Sequence, residues 1–494
     1  MPQRHVIIVG AGVGGLSAAF DLASRGVRVT VIEQHAHAGG KMRQIAIGDH
    51  RIDSGPTVFT MRWIFDDLFA EAGHRLDEHL TLLPADLLAR HGWTDGSRLD
   101  LFADVNKSAA AIAAFSGQAD ADAYRAFARD SGRIFETLDT SFMRAQRPSQ
   151  IELAQRVGLR GLPRLLATKP FVSLWRDLDK RFSDPRLKQL FARYSTYCGS
   201  SPFKAPATLQ LIAHAERAGV WYVEGGMQAL AETLAARAED AGAEFLFNSK
   251  VAGILEYDGR ITGVNLANGD VVMGDAVIFA GDCAALVDGL LGKTVTKAVP
   301  PLPRDKRSLS AITWSMVAEV RGFPLAHHTV LFGDDYVDEF DSIFERQTIC
   351  RSPTIYLCAQ SRQDETLPPS RDAEPLLVLI NAPARALSAQ ELDAAEGYML
   401  DNLARGGLTL SYAPGDAVVT QPEDFARLFP ATDGALYGRP THGAMGSFSR
   451  PGGRTRMEGL YLAGGSVHPG AGVPMTAMSG RLAAACVRSD LRLD

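Results

Sequence analysis

The segment "HVIIVGAGVGGLSAAFDLASRGVRVTVIEQ", residues 5–34, decides the fold of this chain. Residues 6–9 form a fully apolar run, as expected of a central strand in a parallel sheet. Residues 16–24 are predicted to form a helix and residues 27–32 a second strand, which ends at Glu33. This order of strand, helix and strand predicts a nucleotide-binding unit of the Rossmann type.

The turn before the helix contains the pattern G-x-G-x-x-G, formed by Gly10, Gly12 and Gly15. Gly10 permits the tight turn, Gly12 lets the backbone approach a pyrophosphate, and Gly15 lets the helix pack closely on the strand. Gly14 lies in the same loop and is also expected to bind the cofactor. The helix N-terminus offers free N–H groups to phosphates, and the carboxylate of Glu33 can accept hydrogen bonds from ribose hydroxyls. An acid here favours FAD or NAD over NADP; the alternative is a purely structural glycine-rich turn.

Composition and charge exclude several classes of protein. The chain has 494 residues, a length typical of about three domains. Its net charge of −6 argues against a polyanion partner such as nucleic acid. The five cysteines form no C-x-x-C pair, so we expect no zinc ribbon and reduced, cytoplasmic thiols. No stretch reaches the roughly 18 apolar residues of a spanning helix, and the N-terminus lacks a cleavage site. We therefore expect neither a signal peptide nor a transmembrane helix.

A second cofactor segment follows directly in residues 36–60, "AHAGGKMRQIAIGDHRIDSGPTVFT". Its start resembles the FAD-binding region of the amine oxidase and carotenoid desaturase superfamily. The resemblance implies that FAD is the cofactor and that Gly39, Gly40, Lys41 and Arg43 lie beside its pyrophosphate. The alternative for this segment alone is a plain β-turn with solvated cations.

The late glycine-rich stretch "LAGGSVHPGAGVP", residues 462–474, extends the resemblance. In this superfamily a C-terminal strand, turn and helix cover the flavin end of FAD. The resemblance implies a strand at 461–463 and a helix at 475–487 whose N-terminus points at the pyrimidine side of the flavin. The residues expected to contact the cofactor here are Gly464, Gly465, Ser466, Pro474 and Met475. Relatives often carry an acid just after the late glycine, and the corresponding region of this chain reads Gly464-Gly465-Ser466.

The middle of the chain resembles the second FAD segment of the superfamily. A glycine turn at 225–226 precedes a helix, and strands are predicted near 244–247, 251–257, 260–266, 271–273 and 275–280. By this resemblance, the backbone of Val251 contacts the adenine.

Together with "GVWYVEGGM", "LAHHTVLFGDDY" and "GAMGSFSRPGGRTR", these segments look like a bacterial carotenoid desaturase of the phytoene desaturase type. The sequence is most similar to the 1-hydroxycarotenoid 3,4-desaturases. The resemblance implies a mixed α/β fold and removal of two hydrogens from a hydroxylated C40 polyene, as a hydride to flavin N5 and a proton. Oxygen or a quinone would accept the electrons. Phytoene desaturase, carotenoid cis–trans isomerase, amine oxidase and a non-enzymatic lipid-binding protein of this fold are the alternatives.

The predicted organisation has two units. Residues 1–60, 223–300 and 440–494 would form a discontinuous FAD-binding domain. Residues 61–222 and 301–439 would form an inserted substrate domain, with a helical, membrane-facing part near 105–200. A surface loop is expected near 366–375.

No residue stands out as the catalytic base. His468, His214, Glu216 and Glu224 are weak candidates, with Tyr222 beside them, and each has a structural alternative. His468 lies between small and rigid residues and is interpreted mainly as a shape and hydrogen-bonding residue.

The adjacent pair His327 and His328 is a possible metal motif. On a strand their side chains point to opposite faces, and no third ligand lies at metal-binding spacing. We therefore predict no metal site, and we expect one of the two histidines to face the substrate channel.

Residues 144–193 carry 12 Lys or Arg and 4 Asp or Glu, interleaved with Leu, Phe and Trp. This pattern predicts a surface that docks on anionic lipid, as a substrate dissolved in a bilayer would require. Solvated helix faces are the alternative, and nucleic acid is disfavoured because no recognition motif accompanies the charge. Neutralising Arg160, Arg164 and Lys169 together is expected to weaken liposome binding.

Overall fold

The structure is a computed structural model that describes residues 3–158, 161–362 and 373–493. Arg160 and residues 366–372 of the expected surface loop lie outside these ranges. The β-strands are β1 (His5–Val9), β2 (Arg28–Ile32), β3 (Gln44–Ile47), β4 (His50–Asp53), β5 (Phe59–Thr60), β6 (Leu82–Pro84), β7 (Leu87–Trp93), β8 (Arg98–Phe102), β9 (Val220–Val223), β10 (Glu244–Leu246), β11 (Val251–Tyr257), β12 (Arg260–Leu266), β13 (Val271–Met273), β14 (Ala276–Phe279), β15 (Ser310–Gly322), β16 (His328–Phe332), β17 (Ile355–Ala359), β18 (Glu374–Ala382), β19 (Leu408–Ser411), β20 (Ala417–Thr420) and β21 (Leu460–Leu462).

The α-helices follow the same order along the chain. They are α1 (Val13–Ala23), α2 (Trp63–Glu71), α3 (Val105–Ser116), α4 (Gln118–Leu138), α5 (Gln150–Val157), α6 (Leu162–Leu166), α7 (Leu174–Arg181), α8 (Pro185–Ala192), α9 (Leu211–Arg217), α10 (Met227–Asp240), α11 (Ala284–Val287), α12 (Tyr336–Asp341), α13 (Ala389–Arg405), α14 (Pro422–Leu428) and α15 (Val473–Leu491).

A five-stranded parallel sheet, in the order β10-β2-β1-β14-β21, forms the base of the N-terminal unit. Every residue of β1 is buried, because both faces of this sheet are covered. Val6 and Ile8 pack towards α1, α10 and α15, whereas Ile7 and Val9 pack towards the antiparallel sheet β11-β12-β13. The predicted Rossmann-type strand–helix–strand unit is therefore confirmed.

Element bounds differ from the predicted ones by a few residues. Helix α1 begins at Val13 instead of residue 16, because two of the loop glycines belong to its first turn. Helix α15 begins at Val473 and ends at Leu491, so it is longer at both ends than predicted. Pro474 is compatible with its first turn, where a missing N–H costs no hydrogen bond. The strands predicted between 244 and 280 are all present.

A larger mixed sheet, in the order β19-β15-β18-β17-β16-β7-β8, forms the second layer of the molecule, with β20 also paired to β15. Alternation along its strands gives it two different faces. Ile312 and Trp314 of β15 pack against the same core as α13, while Thr313 between them lies on the opposite face and lines an internal cavity. This face carries one wall of the candidate site.

Helices α3, α4, α7, α8 and α9 pack at one end of that sheet, and the region near 105–200 is largely helical, as predicted. Phe127, Phe191 and Leu178 from this region share a buried cluster with Trp93 and Phe332 of the sheet. Among the described residues, no helix has the length and apolar character needed to cross a membrane. All five cysteines are free, as expected.

Candidate functional site

A cavity of about 920 Å³ connects the N-terminal glycine loop with the inner face of the large sheet. Its lining divides into a cofactor half and an apolar half. Of the residues predicted to bind the cofactor, these line it: Gly10, Gly12, Gly14, Glu33, Gly39, Gly40, Lys41, Arg43, Val251, Gly464, Gly465, Ser466, Pro474 and Met475. Gly15 does not, because its Cα faces the end of β1, where a Cβ would collide with the carbonyl oxygen of Gly10. It permits packing, as predicted, without facing the cavity.

The two glycine-rich segments from opposite ends of the chain are in direct contact. A Cβ on Gly14 would lie 3.0 Å from the backbone nitrogen of Gly464. A Cβ on Gly480, about two turns into α15, would meet the carbonyl oxygen of Gly14. The late glycines therefore let the C-terminal helix close over the N-terminal turn.

Glu33 is buried beside the glycine turn and holds it in place. Its Oε2 accepts a hydrogen bond from the backbone N–H of Ala11 at 2.7 Å, and its Oε1 accepts one from His35 at 3.0 Å. The carboxylate thus fixes the two loops that flank the cavity. Glu33 itself also lines the cavity.

Basic side chains accompany the glycines in the cofactor half. The ammonium group of Lys41 donates a hydrogen bond to the carbonyl oxygen of Leu436, and burial lowers its pKa, against the opposing effect of Asp282. Arg43 donates to the hydroxyl of Thr420 at 3.0 Å, and its pKa is also lowered by burial. Buried cations with lowered pKa values are stabilised by an anion such as a pyrophosphate.

Arg450 belongs to the same wall, although the sequence offered no sign of its role. Its guanidinium group is buried and donates to the carbonyl oxygens of Gly465 and Arg439, each at 2.7 Å. It therefore holds the late glycine turn in place. A single arginine within "GAMGSFSRPGGRTR" gives no local signal of such a role.

The other half of the cavity is apolar and leads to the surface. Leu138, Phe142, Leu153, Leu211 and Ile212 line its walls. Its outer end is lined by Leu166, Phe171 and Met445, which are 67%, 81% and 50% exposed. We call this outer end the mouth. An apolar tunnel with an apolar mouth suits a long hydrocarbon ligand.

None of the weak catalytic candidates lines the cavity. His214 packs on Phe135, with ring centroids 4.9 Å apart. Glu216 is buried and accepts hydrogen bonds from Tyr194 and Tyr197. Glu224 is exposed at a separate shallow cleft.

His468 lies behind the cavity wall. Its Nε2 is 3.0 Å from the carbonyl oxygen of Phe142 and 2.9 Å from that of Ala145, so this nitrogen carries the proton and donates. Burial lowers the pKa of His468 to about 4. A neutral donor to two backbone carbonyls has a structural role, in line with the interpretation of its sequence context.

The expectation that His327 and His328 diverge is wrong. Their ring centroids are 4.5 Å apart, and their ligand atoms lie within 4.8 Å of each other and of the sulfur of Cys358. His327 precedes the first residue of β16, so strand alternation does not apply to it, and Cys358 comes from the neighbouring strand β17. Neither histidine lines the cavity described above. The absence of a bound metal remains a prediction.

Comparison with known proteins identifies the family. Residues 13–320 match the model of the flavin containing amine oxidoreductases. The chain is 48% identical to a hydroxyneurosporene desaturase of Rubrivivax gelatinosus over 99% of its own length and 94% of the relative. It is 44% identical to one of Cereibacter sphaeroides over 98% of each chain. The chain belongs to the carotenoid desaturases of the flavin-containing amine oxidoreductase family. It is an oxidoreductase, and its cofactor is FAD.

More distant solved structures share the fold of this desaturase. A putrescine oxidase bound to putrescine superposes with a TM-score of 0.60 at 17% identity, covering 99% of each chain. A fatty acid isomerase from P. acnes superposes with a TM-score of 0.57 at 13% identity, covering 98% of each. At these identities the likeness concerns the fold alone.

The cofactor half of this desaturase fits FAD. Among the described residues no side chain caps the start of α1, so its first N–H groups are open to a phosphate. The Cα of Gly12 faces the cavity, where an added Cβ would have no neighbour nearer than 4.0 Å. Together with the buried cations and Glu33, these features match a dinucleotide with a pyrophosphate at its centre.

Proposed function

We propose that this enzyme introduces the C-3,4 double bond into a 1-hydroxycarotenoid. The observation that carries the proposal is its 41–48% identity, over nearly the full chain, to three relatives named hydroxyneurosporene desaturase. Identity to a phytoene desaturase of Neurospora crassa is 30%. The apolar tunnel joined to the cofactor half supports a hydrocarbon substrate.

The residues proposed to hold FAD are the cavity-lining set named above, from Gly10 to Met475. Glu33 would receive the ribose, the start of α1 and Gly39–Arg43 the pyrophosphate, and the backbone of Val251 the adenine. Bound FAD supplies a hydride acceptor at N5. Oxygen or a membrane quinone, the proposed electron acceptors, would then take up the two electrons.

The chain itself contributes alignment and a dry environment. Loss of hydride beside a polyene leaves an allylic cation that the polyene delocalises, so the protein need not provide a strong electrophile. The apolar walls exclude water, and they orient the C–H bond by holding the chain on both sides. No side chain is assigned as the base that takes the proton.

The mouth supports a peripheral membrane location, which we propose to be on the cytoplasmic side. Phe171, Leu166 and the nearby Ile151 are the most exposed large apolar side chains of this region, and Arg164 and Arg176 beside them are also exposed. Lys169 is less available to lipid than expected, because its ammonium group lies 2.7 Å from the carboxylate of Asp177. A carotenoid could then pass from the bilayer into the tunnel without crossing water.

The division into two units stays a proposal. The parallel sheet draws its strands from the three segments assigned to the FAD domain, and the strands of the large sheet come from the segments assigned to the substrate domain. We propose that residues 1–60, 223–300 and 440–494 form the FAD-binding domain and that residues 61–222 and 301–439 form the substrate domain.

The deciding experiment expresses the chain in two bacterial hosts, one that makes phytoene and one that makes 1-hydroxyneurosporene. Carotenoid mass and absorption are compared with those of empty hosts. Loss of two hydrogens with a red shift in the second host alone is the expected result. Colour in the first host would identify a phytoene desaturase, and a changed spectrum at unchanged mass would identify an isomerase.

A further inference from the structure

The inner end of the tunnel carries polar side chains, in contrast to the apolar walls that lead to the mouth. Arg193, Thr196 and Tyr197 reach it from a short 3₁₀ segment, and Tyr356 reaches it from β17. All four are half-buried, and all line the cavity. We propose that Tyr197 and Tyr356 bind the hydroxyl group of the substrate and thereby select hydroxylated carotenoids.

Strand alternation places Tyr356 at this end. Ile355, Leu357 and Ala359 of β17 point into the core beneath the sheet, so Tyr356 and Cys358 point to the opposite face. The phenol oxygen of Tyr356 lies 2.6 Å from the hydroxyl of Thr57 and 2.8 Å from Nδ1 of His328. Its orientation is therefore fixed before any ligand binds.

Tyr197 is fixed by a second network beside the first. Its hydroxyl donates to the carboxylate of Glu216 and accepts from Arg193 at 3.2 Å. The two phenols are close enough that Tyr197 contributes to the raised pKa of Tyr356, whose largest cause is burial. Arg193 and Glu216 are thus positioning residues for Tyr197, and both phenols keep their protons at neutral pH.

The position of the pair matches the chemistry of the proposed substrate, and the inference rests on that proposed function. A hydroxyl on C-1 is two carbons from C-3, so the group that binds it must lie next to the reacting bond. Gly55 packs against the backbone of Lys41 in the cofactor half, and Thr57, two residues later, contacts Tyr356. The polar end therefore adjoins the cofactor half, and the remaining polyene can extend through the tunnel to the mouth.

Two hydroxyl groups in the apolar half of the cavity are bonded to the backbone. Thr168 donates to the carbonyl oxygen of Leu165, and Thr208 donates to that of Thr168, both at 2.7 Å. Their protons are therefore engaged, and neither group would donate a hydrogen bond to a substrate hydroxyl buried near them. A hydroxylated chain that enters hydroxyl-first places its hydroxyl at the polar end and its polyene along the apolar walls.

The test compares the wild-type holoenzyme with Tyr197→Phe, Tyr356→Phe and the double variant on two substrates, 1-hydroxyneurosporene and neurosporene. Each change removes one oxygen and preserves the ring. We expect the double variant to lose about 10²-fold in kcat/KM for the hydroxylated substrate, mostly through KM, and to keep its rate on neurosporene. Tyr412→Phe is the matched control, because its phenol bonds to Glu396 away from the cavity.

A preference for the hydroxylated substrate that survives the double variant would overturn the inference. If the wild type itself converts neither substrate, the proposed function fails instead. If the double variant does not retain flavin, the two single variants decide the question, each with an expected loss of about 10-fold in the ratio of kcat/KM values.

Discussion

The imidazole Nε2 of His468 lies 2.9 Å from the carbonyl oxygen of Ala145. This hydrogen bond joins the late glycine segment, which lines the cofactor half, to the end of the helical region that lines the tunnel. The ring of Phe142 packs edge-on against the same imidazole, with centroids 4.7 Å apart. His468 therefore connects the two halves of the cavity from behind its wall.

We expect His468→Gln to lower stability and leave the chemistry intact. Losing one of the two buried hydrogen bonds is expected to cost about 1–3 kcal/mol of unfolding free energy. The pH profile of kcat should keep its shape, because the imidazole does not face the cavity. Urea unfolding and pH-rate profiles measure the two effects. A stable, flavin-loaded variant without turnover would show that the histidine acts in the reaction.

Stability should fall as the pH falls below about 6.5, the ordinary pKa of histidine. Burial lowers the pKa of His91 to about 3 and those of His327, His442 and His468 to about 4. The unfolded chain therefore binds protons first, and stability is lost progressively between about pH 6.5 and pH 4.

The test measures the free energy of unfolding by urea at about pH 7.5 and about pH 5.5. Each of these histidines is expected to lower that free energy by about 1 kcal/mol at the lower pH. In His91→Gln the decrease between the two pH values should therefore be smaller by about 1 kcal/mol. An equal pH dependence in the wild type and in His91→Gln would contradict the assignment.

The contact between the terminal glycine segments predicts that any side chain larger than hydrogen at Gly480 destabilises the protein. In Gly480→Ala the new methyl group meets the backbone of Gly14, which cannot yield without moving α1 away from α15. We expect a loss of about 1–3 kcal/mol and weaker FAD retention. Gly397→Ala is the control: it lies exposed within α13 with no neighbour within 4 Å of its Cβ, and should gain about 0.5–1 kcal/mol. Similar thermal midpoints for the two variants would refute the packing argument.

The cofactor half could be predicted because its signals are local. Strand, glycine turn and acid lie within one short segment, and Gly14 and Gly464 both belong to recognisable glycine clusters. The inner polar end could not be predicted, since Tyr197 and Tyr356 are far apart in the sequence and meet only where the 3₁₀ segment and β17 pack on the same buried cluster. Cys358 comes beside His328 only through the pairing of β16 with β17. Periodicity gives the face of a residue on its own strand and no information about its neighbours in space.

Glu33 should control the affinity for FAD. Glu33→Ala removes the acceptor of two backbone N–H groups and the proposed ribose contact. We expect the Kd for FAD to rise about 10- to 100-fold, with Glu33→Gln intermediate because its amide oxygen replaces one acceptor. Flavin absorbance after desalting, followed by FAD titration, measures this. An unchanged Kd in Glu33→Ala would remove this residue from the proposed site.

The mouth should bind membranes chiefly through its apolar side chains. In the double variant Leu166→Ser and Phe171→Ser, the lost apolar area should weaken flotation with phosphatidylcholine vesicles by about 10-fold or more. Arg164→Gln with Arg176→Gln should matter only when phosphatidylglycerol is included, at about 1 kcal/mol per charge. Tyr257→Ser is the control, because that side chain is 78% exposed on β11, behind the cofactor sheet. If the Leu166 and Phe171 double variant floats like the wild type, the exposed apolar mouth is not the membrane-binding surface, and the substrate must reach the tunnel by another route.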